Sequence, residues 1–373
     1  MVRPARTRAA AALLALLAVL AGACGDGGPE VTPSVLEGPV RPAGADDAAA
    51  LSGVGSSLVE PLVQAWASDY RLVAPAVSIA FEPLVPVAAA SRFGAPGPDF
   101  LATDVPLTVA EEEELGGREE VVHVPWATSA IALPYNLPGV PELRLSPDTV
   151  GAIFSGRAQR WDDPAIRADN PAARLPPLAI GVVFPAEASG TTAVFTSYLQ
   201  AAAPGGWALG SSATPPFPRG QGAAGPAAVV AAVGATAGAI GYAPLAYARA
   251  ASAPVASLGN RSGRYLQPTP AAVNAAMAGA TLRPASLAAT LLFTPEAPGA
   301  YPLSTLTYVV YQRTGVDPTR AAALRHFVSW ALTEGQRYAE PLGYGPVPRQ
   351  FAGTALAAID RPLEIEDPEG PEE

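Results

Sequence analysis

Short apolar runs with strand character alternate with helical patterns from residue 52 onward, and this alternation restricts the fold more than any other feature of the chain. In chain order, helices and strands are predicted at residues 59–67 (helix), 77–81, 121–124, 129–133 and 178–184 (strands), and 227–233 and 321–332 (helices). Such alternation is typical of α/β domains. The 373 residues are enough for two α/β domains, each with its own core.

The composition is that of a globular protein and argues against nucleic acid as the partner. Hydrophobic residues make up 49% of the chain and charged residues only 15%, a balance that favours a packed core over disorder. The formal net charge is -10, and every basic residue is an arginine. An acidic protein repels nucleic acid, whereas a buried site for a small anion depends on local dipoles more than on net charge.

The first 24 residues are predicted to be a bacterial lipoprotein signal. A basic start precedes an apolar run at 9–21 that is too short to span a bilayer comfortably, and small residues follow it. The string L-A-G-A-C at 20–24 looks like a lipobox, which makes Cys24 the acylated N-terminus of the mature protein. A plain cleavage site with an incidental thiol is the alternative. Cys24 is the only cysteine, so no disulfide is possible in the mature chain.

Residues 187–192, E-A-S-G-T-T, predict a helix start that can hold an oxyanion. The first backbone N–H groups of a helix have no internal partners, and the helix dipole favours negative charge there. Hydroxyl side chains add donors, and Gly190 lets the backbone come close to a ligand. An ordinary helix cap is the alternative, and this short string alone favours the cap.

Seven further motifs surround this helix start in a fixed order, and together they are specific although none is decisive alone. They are G-V-G-S-S-L-V-E-P-L at 53–62, P-D-F-L-A-T-D-V-P-L-T at 98–108, P-Y-N-L-P-G at 134–139, I-F-S-G at 153–156, W-D-D-P-A-I at 161–166, G-A-I-G-Y at 238–242, and L-T-E-G-Q with L-G-Y-G-P-V-P at 332–336 and 342–348. The set resembles the substrate-binding lipoprotein of the phosphate-specific ABC transporter, the PstS-type family, over roughly residues 49–350.

The resemblance implies an α/β, bilobed periplasmic-binding-protein-like fold of type II, in which a two-strand hinge joins two α/β lobes around a central ligand cleft. One lobe would comprise residues 49–128 and 300–360, and the other residues 129–299. Residues 25–48, rich in Gly, Pro, Asp and Ala, are predicted to be a flexible tether, and the acidic residues 361–373 a disordered tail.

The function that the resemblance implies is the capture of inorganic phosphate outside the cytoplasm. The protein would be a monomer anchored to the cell membrane by its lipid, and it would deliver phosphate to the permease subunits of an ABC importer. It would bind its ligand without catalysis and without a cofactor.

The resemblance also assigns the phosphate ligands. They would be the hydroxyl of Ser57, the backbone N–H of Leu58, the carboxylate of Asp104, and the helix start formed by Ser189, Gly190 and Thr191. Asp104 would accept the proton of hydrogen phosphate. Sulfate has no such proton, so two acceptors would meet unpaired, which is costly in a buried site. A turn cap before the Val-Pro dipeptide is the alternative role for Asp104.

Two anion contacts of the family are missing. Pro185 stands where the family has an arginine, and residues 81–87 lack the expected serine and glycine. A charge-assisted hydrogen bond contributes ~1.5–3 kcal/mol, so its loss predicts affinity weaker by roughly one to two orders of magnitude. Arg219 is a possible compensating cation, although a solvated loop arginine is the simpler expectation.

Because two anion contacts are missing, the alternative function is a PstS-like envelope lipoprotein with a degenerate site, acting as a sensor or interaction module or binding another small ligand.

An enzyme is not expected. The only histidines, His123 and His326, lack metal-ligand spacing, and the single cysteine belongs to the leader. No strand-flanked G-x-S-x-G elbow surrounds Ser189. The sequence therefore predicts neither a catalytic site nor a metal site.

Overall fold

The computed structural model describes residues 48–93, 97–117, 120–282, 287, 297–313 and 317–359. The predicted signal with Cys24, the predicted tether up to residue 47 and the predicted acidic tail lie outside these residues. Within the described ranges, no helix combines the length and the apolar character that a membrane crossing requires.

The described part of the chain forms twelve strands and twelve α-helices. The strands are β1 (Ala49–Gly55), β2 (Val77–Pro83), β3 (Phe100–Thr103), β4 (Val121–Ala132), β5 (Arg144–Leu145), β6 (Gly181–Pro185), β7 (Gln221–Ala223), β8 (Ala239–Gly241), β9 (Ala243–Pro244), β10 (Ser257–Gly259), β11 (Tyr265–Leu266) and β12 (Ser304–Gln312). The helices are α1 (Glu60–Val73), α2 (Pro86–Phe93), α3 (Val109–Glu114), α4 (Pro147–Phe154), α5 (Pro164–Asp169), α6 (Gly190–Ala202), α7 (Gly225–Ala235), α8 (Leu245–Ala250), α9 (Pro270–Ala276), α10 (Pro318–Leu332), α11 (Ala339–Leu342) and α12 (Arg349–Ile359).

Three sheets organise these elements into the predicted α/β, bilobed arrangement. The largest has six strands in the order β2-β1-β3-β12-β4-β9, with β1 parallel to β2 and β3. A second sheet, β7-β6-β8, is wholly parallel, and a third has the order β11-β10-β5. Because β6 leads directly into α6, the second sheet places the predicted oxyanion-binding helix start at its edge.

Strands β4 and β12 form the two-strand hinge, paired antiparallel from Ser304 opposite Ala130 to Gln312 opposite Val121. All twelve residues of β4 are buried, as expected for a central strand covered on both faces. The sequence predicts two strands here, at 121–124 and 129–133, and that division is wrong. The register shifts between Thr307 and Tyr308, where Trp126 is the one extra residue of β4 and forms a bulge next to Pro125.

The residue boundaries of the two lobes stay a prediction. Strand β4 continues across the predicted boundary at 128/129, and its last residues pair with β9, so the six-stranded sheet extends into the second predicted lobe. The Gly- and Pro-rich residues 204–225 contain the short strand β7, which pairs with β6.

Aromatic side chains pack against α6 close to its first turn. The rings of Phe195 and Tyr242 stack with centroids 4.3 Å apart, and Phe154 packs edge-on against Phe195 at 4.8 Å. The Tyr242 hydroxyl shares a 2.7 Å hydrogen bond with Thr192 Oγ1 in the first turn of α6. Such packing fixes the helix start in one orientation.

Candidate functional site

Three parallel strands, β1, β2 and β3, end at one edge of the six-stranded sheet, and the segments that follow them form one wall of a cleft. Gly55 ends β1 with φ of +144°, and a Cβ there would lie 1.9 Å from the Ala102 carbonyl oxygen, so only glycine fits. The backbone N–H of Ser56 donates to the same oxygen at 2.8 Å. The chain therefore turns sharply and brings Ser56 beside Asp104.

Asp104 is the buried carboxyl group of this wall, with 1% of its surface exposed. The Ser56 hydroxyl donates a hydrogen bond to Oδ2, whereas Oδ1 has no hydrogen-bond partner in the described part of the chain. Burial raises the pKa of Asp104 to about 7, and the Ser56 hydrogen bond opposes that rise. The carboxyl is therefore partly protonated at neutral pH and keeps one oxygen for a ligand.

The start of α6 forms the opposite wall. Ser189 caps this helix, since its Oγ accepts from the Thr192 N–H at 3.1 Å, and the N–H groups of Gly190 and Thr191 have no intrahelical partner. A Cβ at Gly190 would lie 2.2 Å from Asp104 Oδ2 and 3.4 Å from Ser56 Oγ. Gly190 thus permits direct contact between the helix start and the buried carboxyl group.

A cavity of about 240 Å³, called here the ligand cavity, lies beside this contact. Its polar lining consists of Ser56, Ser57, Glu60, Glu187 and Ser189, and Gly190 adds the helix start. The lining contains neither arginine nor histidine among the described residues. Attraction for an anion would therefore come from the α6 dipole, its N–H groups and the hydroxyls.

The carboxylates of the ligand cavity already have hydrogen-bond partners. Glu187 Oε1 accepts from the Gly225 N–H at 2.8 Å. Glu60 Oε2 accepts from the Tyr247 hydroxyl at 3.0 Å, and the same hydroxyl lies 3.1 Å from the Ser57 carbonyl oxygen. Tyr247 is on α8, so it connects the second predicted lobe to the first.

The predicted site residues occupy different positions around this cleft. Ser57, Ser189 and Gly190 line the ligand cavity, and Asp104 adjoins Gly190. Leu58 and Thr191 are buried, and the Leu58 N–H donates to Ser56 Oγ at 3.1 Å. Their roles as phosphate ligands stay predictions.

Arg219 is not brought to the cleft. The Arg219 side chain packs against Gly156, where an added Cβ would lie 3.0 Å from Arg219 Nε. Arg219 is not among the residues that line the ligand cavity. Its position gives no support to the expectation that it replaces the missing arginine.

Sequence reasoning missed Ser56 and Tyr247. The double serine at 56–57 offers two adjacent hydroxyls, and only the contact with Ala102 identifies the first of them as the partner of Asp104. No local pattern identifies Tyr247, because its hydroxyl bonds to Ser57, which lies 190 residues earlier in the sequence.

Comparison with known proteins places these features in a family. The family model described as a PBP superfamily domain matches residues 41–334. The phosphate-binding protein PstS of Methanocaldococcus jannaschii is 32% identical over 330 residues, which cover 82% of this chain and 84% of that protein. The chain belongs to the PstS-type family. The resemblance inferred from the ordered motifs is confirmed.

Other members and solved structures agree with this assignment. Phosphate-binding protein PstS 2 of Mycobacterium tuberculosis is 29% identical over 369 residues and covers 95% of this PstS-type chain and 98% of its own. A high-affinity periplasmic phosphate-binding protein solved with bound phosphate superposes with a TM-score of 0.66 at 21% identity, over 83% of this chain and 93% of its own. The phosphate-binding protein of Stenotrophomonas maltophilia gives 0.64 at 20% identity, with coverage of 83% and 93%. These structures establish the fold.

Proposed function

We propose that this PstS-type protein captures inorganic phosphate outside the cytoplasm for an ABC importer. The observation that carries the proposal is the contact between Asp104 and Gly190, in which a buried carboxyl group faces the start of α6. A helix start alone attracts any small anion. A carboxyl group beside it favours an anion that still carries a proton.

The two halves of the site act in complementary ways. The N–H groups of Gly190 and Thr191 and the hydroxyl of Ser57 would donate to phosphate oxygens. Asp104 Oδ1, which has no partner in the described part of the chain, would accept the remaining phosphate proton. A sulfate oxygen has no proton to donate, so it would face Asp104 Oδ1 as a second acceptor. The unpaired contact would weaken the free energy of binding by about 1–3 kcal/mol.

Closure would proceed without chemistry on the ligand. The lobes would close on the anion by bending at β4 and β12, and the closed form would dock on the permease subunits. Bonds between the predicted lobes, such as the one from Tyr247 to Glu60, would be made in that form and broken on release. The protein would act as a monomer, with no enzymatic activity and no cofactor.

Membrane attachment is part of the same proposal. Acylation of Cys24 would anchor the protein on the outer face of the cytoplasmic membrane, with residues 25–48 as the tether. Membrane fractionation of the wild type and of Cys24→Ala tests this, because only the wild type should sediment with membranes.

Calorimetry with phosphate and with sulfate tests the binding proposal. The wild type should prefer phosphate, and Asp104→Asn should reduce that preference because an amide can donate an N–H to sulfate. Asp69→Asn is the matched control, since Asp69 is one-third exposed on α1 and paired with Arg337. Equal affinities for the two anions in the wild type would remove the role of Asp104.

A second candidate function is favoured by the ligand cavity itself, since none of the described residues that line it is a cation. In this case the protein is an envelope sensor or interaction module that keeps the fold and no longer binds phosphate tightly. No heat of phosphate binding to the folded wild type, with a normal thermal unfolding transition, would support this second function.

A further inference from the structure

A second cavity of about 240 Å³ is lined by Asp104, and its walls are largely apolar. It is called here the apolar cavity. The side chains of Leu84, Val87, Ala90, Leu101, Leu107 and Ala193 contribute to its lining. Its volume is far above the ~10–15 Å³ that one water molecule needs, so there is room for an organic group.

The apolar cavity and the ligand cavity meet at the binding contact itself. Ser56, Leu84 and Gly190 line both of them, and Asp104 lines the apolar one. An anion held at the start of α6 would therefore lie directly beside the opening of the apolar cavity. A substituent on that anion would point toward residues that both cavities share.

One part of the apolar lining comes from a segment in which the sequence departs from the PstS-type pattern. Residues 81–87 carry no hydroxyl and no glycine, and Leu84, Pro86 and Val87 from this segment line the apolar cavity. Val87 is 79% exposed and Val105, which also lines the apolar cavity, is 43% exposed. Large apolar side chains held in solvent at the mouth of a cavity are an unfavourable arrangement that an apolar ligand group would relieve.

The polar groups of the apolar cavity do not offer a place for a second charge. Its described lining contains no arginine and no histidine, and its one glutamate, Glu111, caps α3 by accepting from the N–H and hydroxyl of Thr108 at 2.7 and 2.8 Å. The occupant should therefore have one charged end, at Asp104 and α6, and one uncharged end.

We infer that the cleft accepts a phosphoryl anion bearing one short alkyl group, as in an alkylphosphonate or a phosphate monoester. The inference rests on the proposed function, because the phosphoryl group would use the same helix start and the same Asp104. The alkyl group would contact apolar side chains of the cavity lining, among them Leu84 and Val87. The phosphoryl monoanion keeps one P–OH, which would donate to Asp104 Oδ1.

Calorimetric titration with phosphate and with methyl-, ethyl-, propyl- and butylphosphonate tests this inference. Each methylene buried in the apolar cavity should raise affinity by about fourfold. Ala193→Leu narrows the apolar cavity and does not line the ligand cavity, so it should abolish the gain with chain length and keep phosphate affinity. Ala201→Leu, at an exposed position on the same helix, is the control and should change neither.

The outcomes separate the two proposals. Phosphate binding with no increase along the alkyl series, or equal weakening of phosphate and butylphosphonate by Ala193→Leu, would overturn the inference and leave phosphate capture standing. Binding of butylphosphonate without phosphate would support the inference and remove inorganic phosphate as the ligand. Binding of neither would overturn both. If Ala193→Leu does not fold, Ala90→Leu on the α2 wall makes the same test.

Discussion

The backbone N–H of Leu107 donates a hydrogen bond to Nε2 of His123 at 3.0 Å. Both residues are buried, and His123 lies on the hinge strand β4. The bond therefore connects the hinge to the loop that follows Asp104. Because Nε2 is the acceptor, the imidazole carries its proton on Nδ1, which faces Glu112 Oε1 at 3.8 Å.

We predict that His123→Leu destabilises the protein and weakens anion binding together. The substitution leaves the buried Leu107 N–H without an acceptor, at a cost of about 1–3 kcal/mol, and it loosens the loop that positions Asp104. His123→Gln keeps an acceptor oxygen and should restore part of both properties. Urea unfolding and calorimetry measure the two effects. Loss of stability with unchanged affinity would show that the bond does not position Asp104.

The preference for phosphate over sulfate should rise with pH. Burial raises the pKa of Asp104 to about 7, so the carboxyl is mostly protonated at acid pH and can then donate to sulfate. Above that pKa it is an acceptor only, and hydrogen phosphate alone can supply a proton. The ratio of the two affinities, measured by calorimetry at about pH 5.5 and about pH 8.5, should therefore increase. The ratio in Asp104→Asn should change less, because only the titration of phosphate itself remains there, and an equal change in both proteins would contradict the prediction.

The stability of the ligand-free protein should fall as pH rises because of the same group. The pKa of Asp104 rises from 3.8 to about 7 on folding, so between these values the folded state holds a proton that the unfolded state releases. The free energy of unfolding therefore decreases across this window, and the loss is complete above the folded pKa. Thermal unfolding should show Asp104→Asn gaining stability relative to wild type as pH increases. A stability difference between wild type and Asp104→Asn that stays constant with pH would contradict this prediction.

Gly190→Ala should hold the cleft open. The added Cβ would lie 2.2 Å from Asp104 Oδ2, a distance at which either the carboxyl or the helix start must move. Because the two walls then separate, phosphate affinity should fall by roughly tenfold or more, whereas thermal stability should change little. Gly234→Ala on α7 is the control, since a Cβ there meets nothing within 4 Å. Unchanged affinity in Gly190→Ala would mean that the contact with Asp104 is not part of the bound state.

Local sequence patterns predict most of the fold and only part of the site. Periodicity finds the helices α1, α7 and α10 because each has a buried face, and it finds β2 and β6 as apolar runs. It divides β4 into 121–124 and 129–133, whereas the pairing with β12 continues through Pro125 and leaves Trp126 as the extra residue of a bulge. That pairing joins residues nearly 200 positions apart, so no local pattern reports it.

Local sequence patterns also predict some residues of the site and miss those that depend on tertiary contacts. The E-A-S-G-T-T string predicts the cap made by Ser189 and the approach at Gly190, because both depend on local backbone geometry. The choice of Ser56 as the partner of Asp104 depends on where β1 and β3 end relative to each other. The packing of Arg219 against Gly156 likewise depends on a tertiary contact.

Pro185→Arg should tighten phosphate binding. Pro185 ends β6, two residues before Glu187, which lines the ligand cavity. Glu187 uses Oε1 for the Gly225 N–H, so its other oxygen can orient an arginine. A charge-assisted hydrogen bond of ~1.5–3 kcal/mol corresponds to a gain of roughly tenfold to a hundredfold in affinity.

Ala186→Arg is the matched control for this gain. It adds the same charge at the next residue, which is exposed and lies just after the end of β6. A general electrostatic effect would strengthen binding in both variants and would fall as salt is added. A gain confined to Pro185→Arg would instead show that the missing arginine is a specific gap in the site. If neither variant changes a tight wild-type affinity, the helix start and Asp104 are sufficient to hold the anion, and the absence of a cation is no defect.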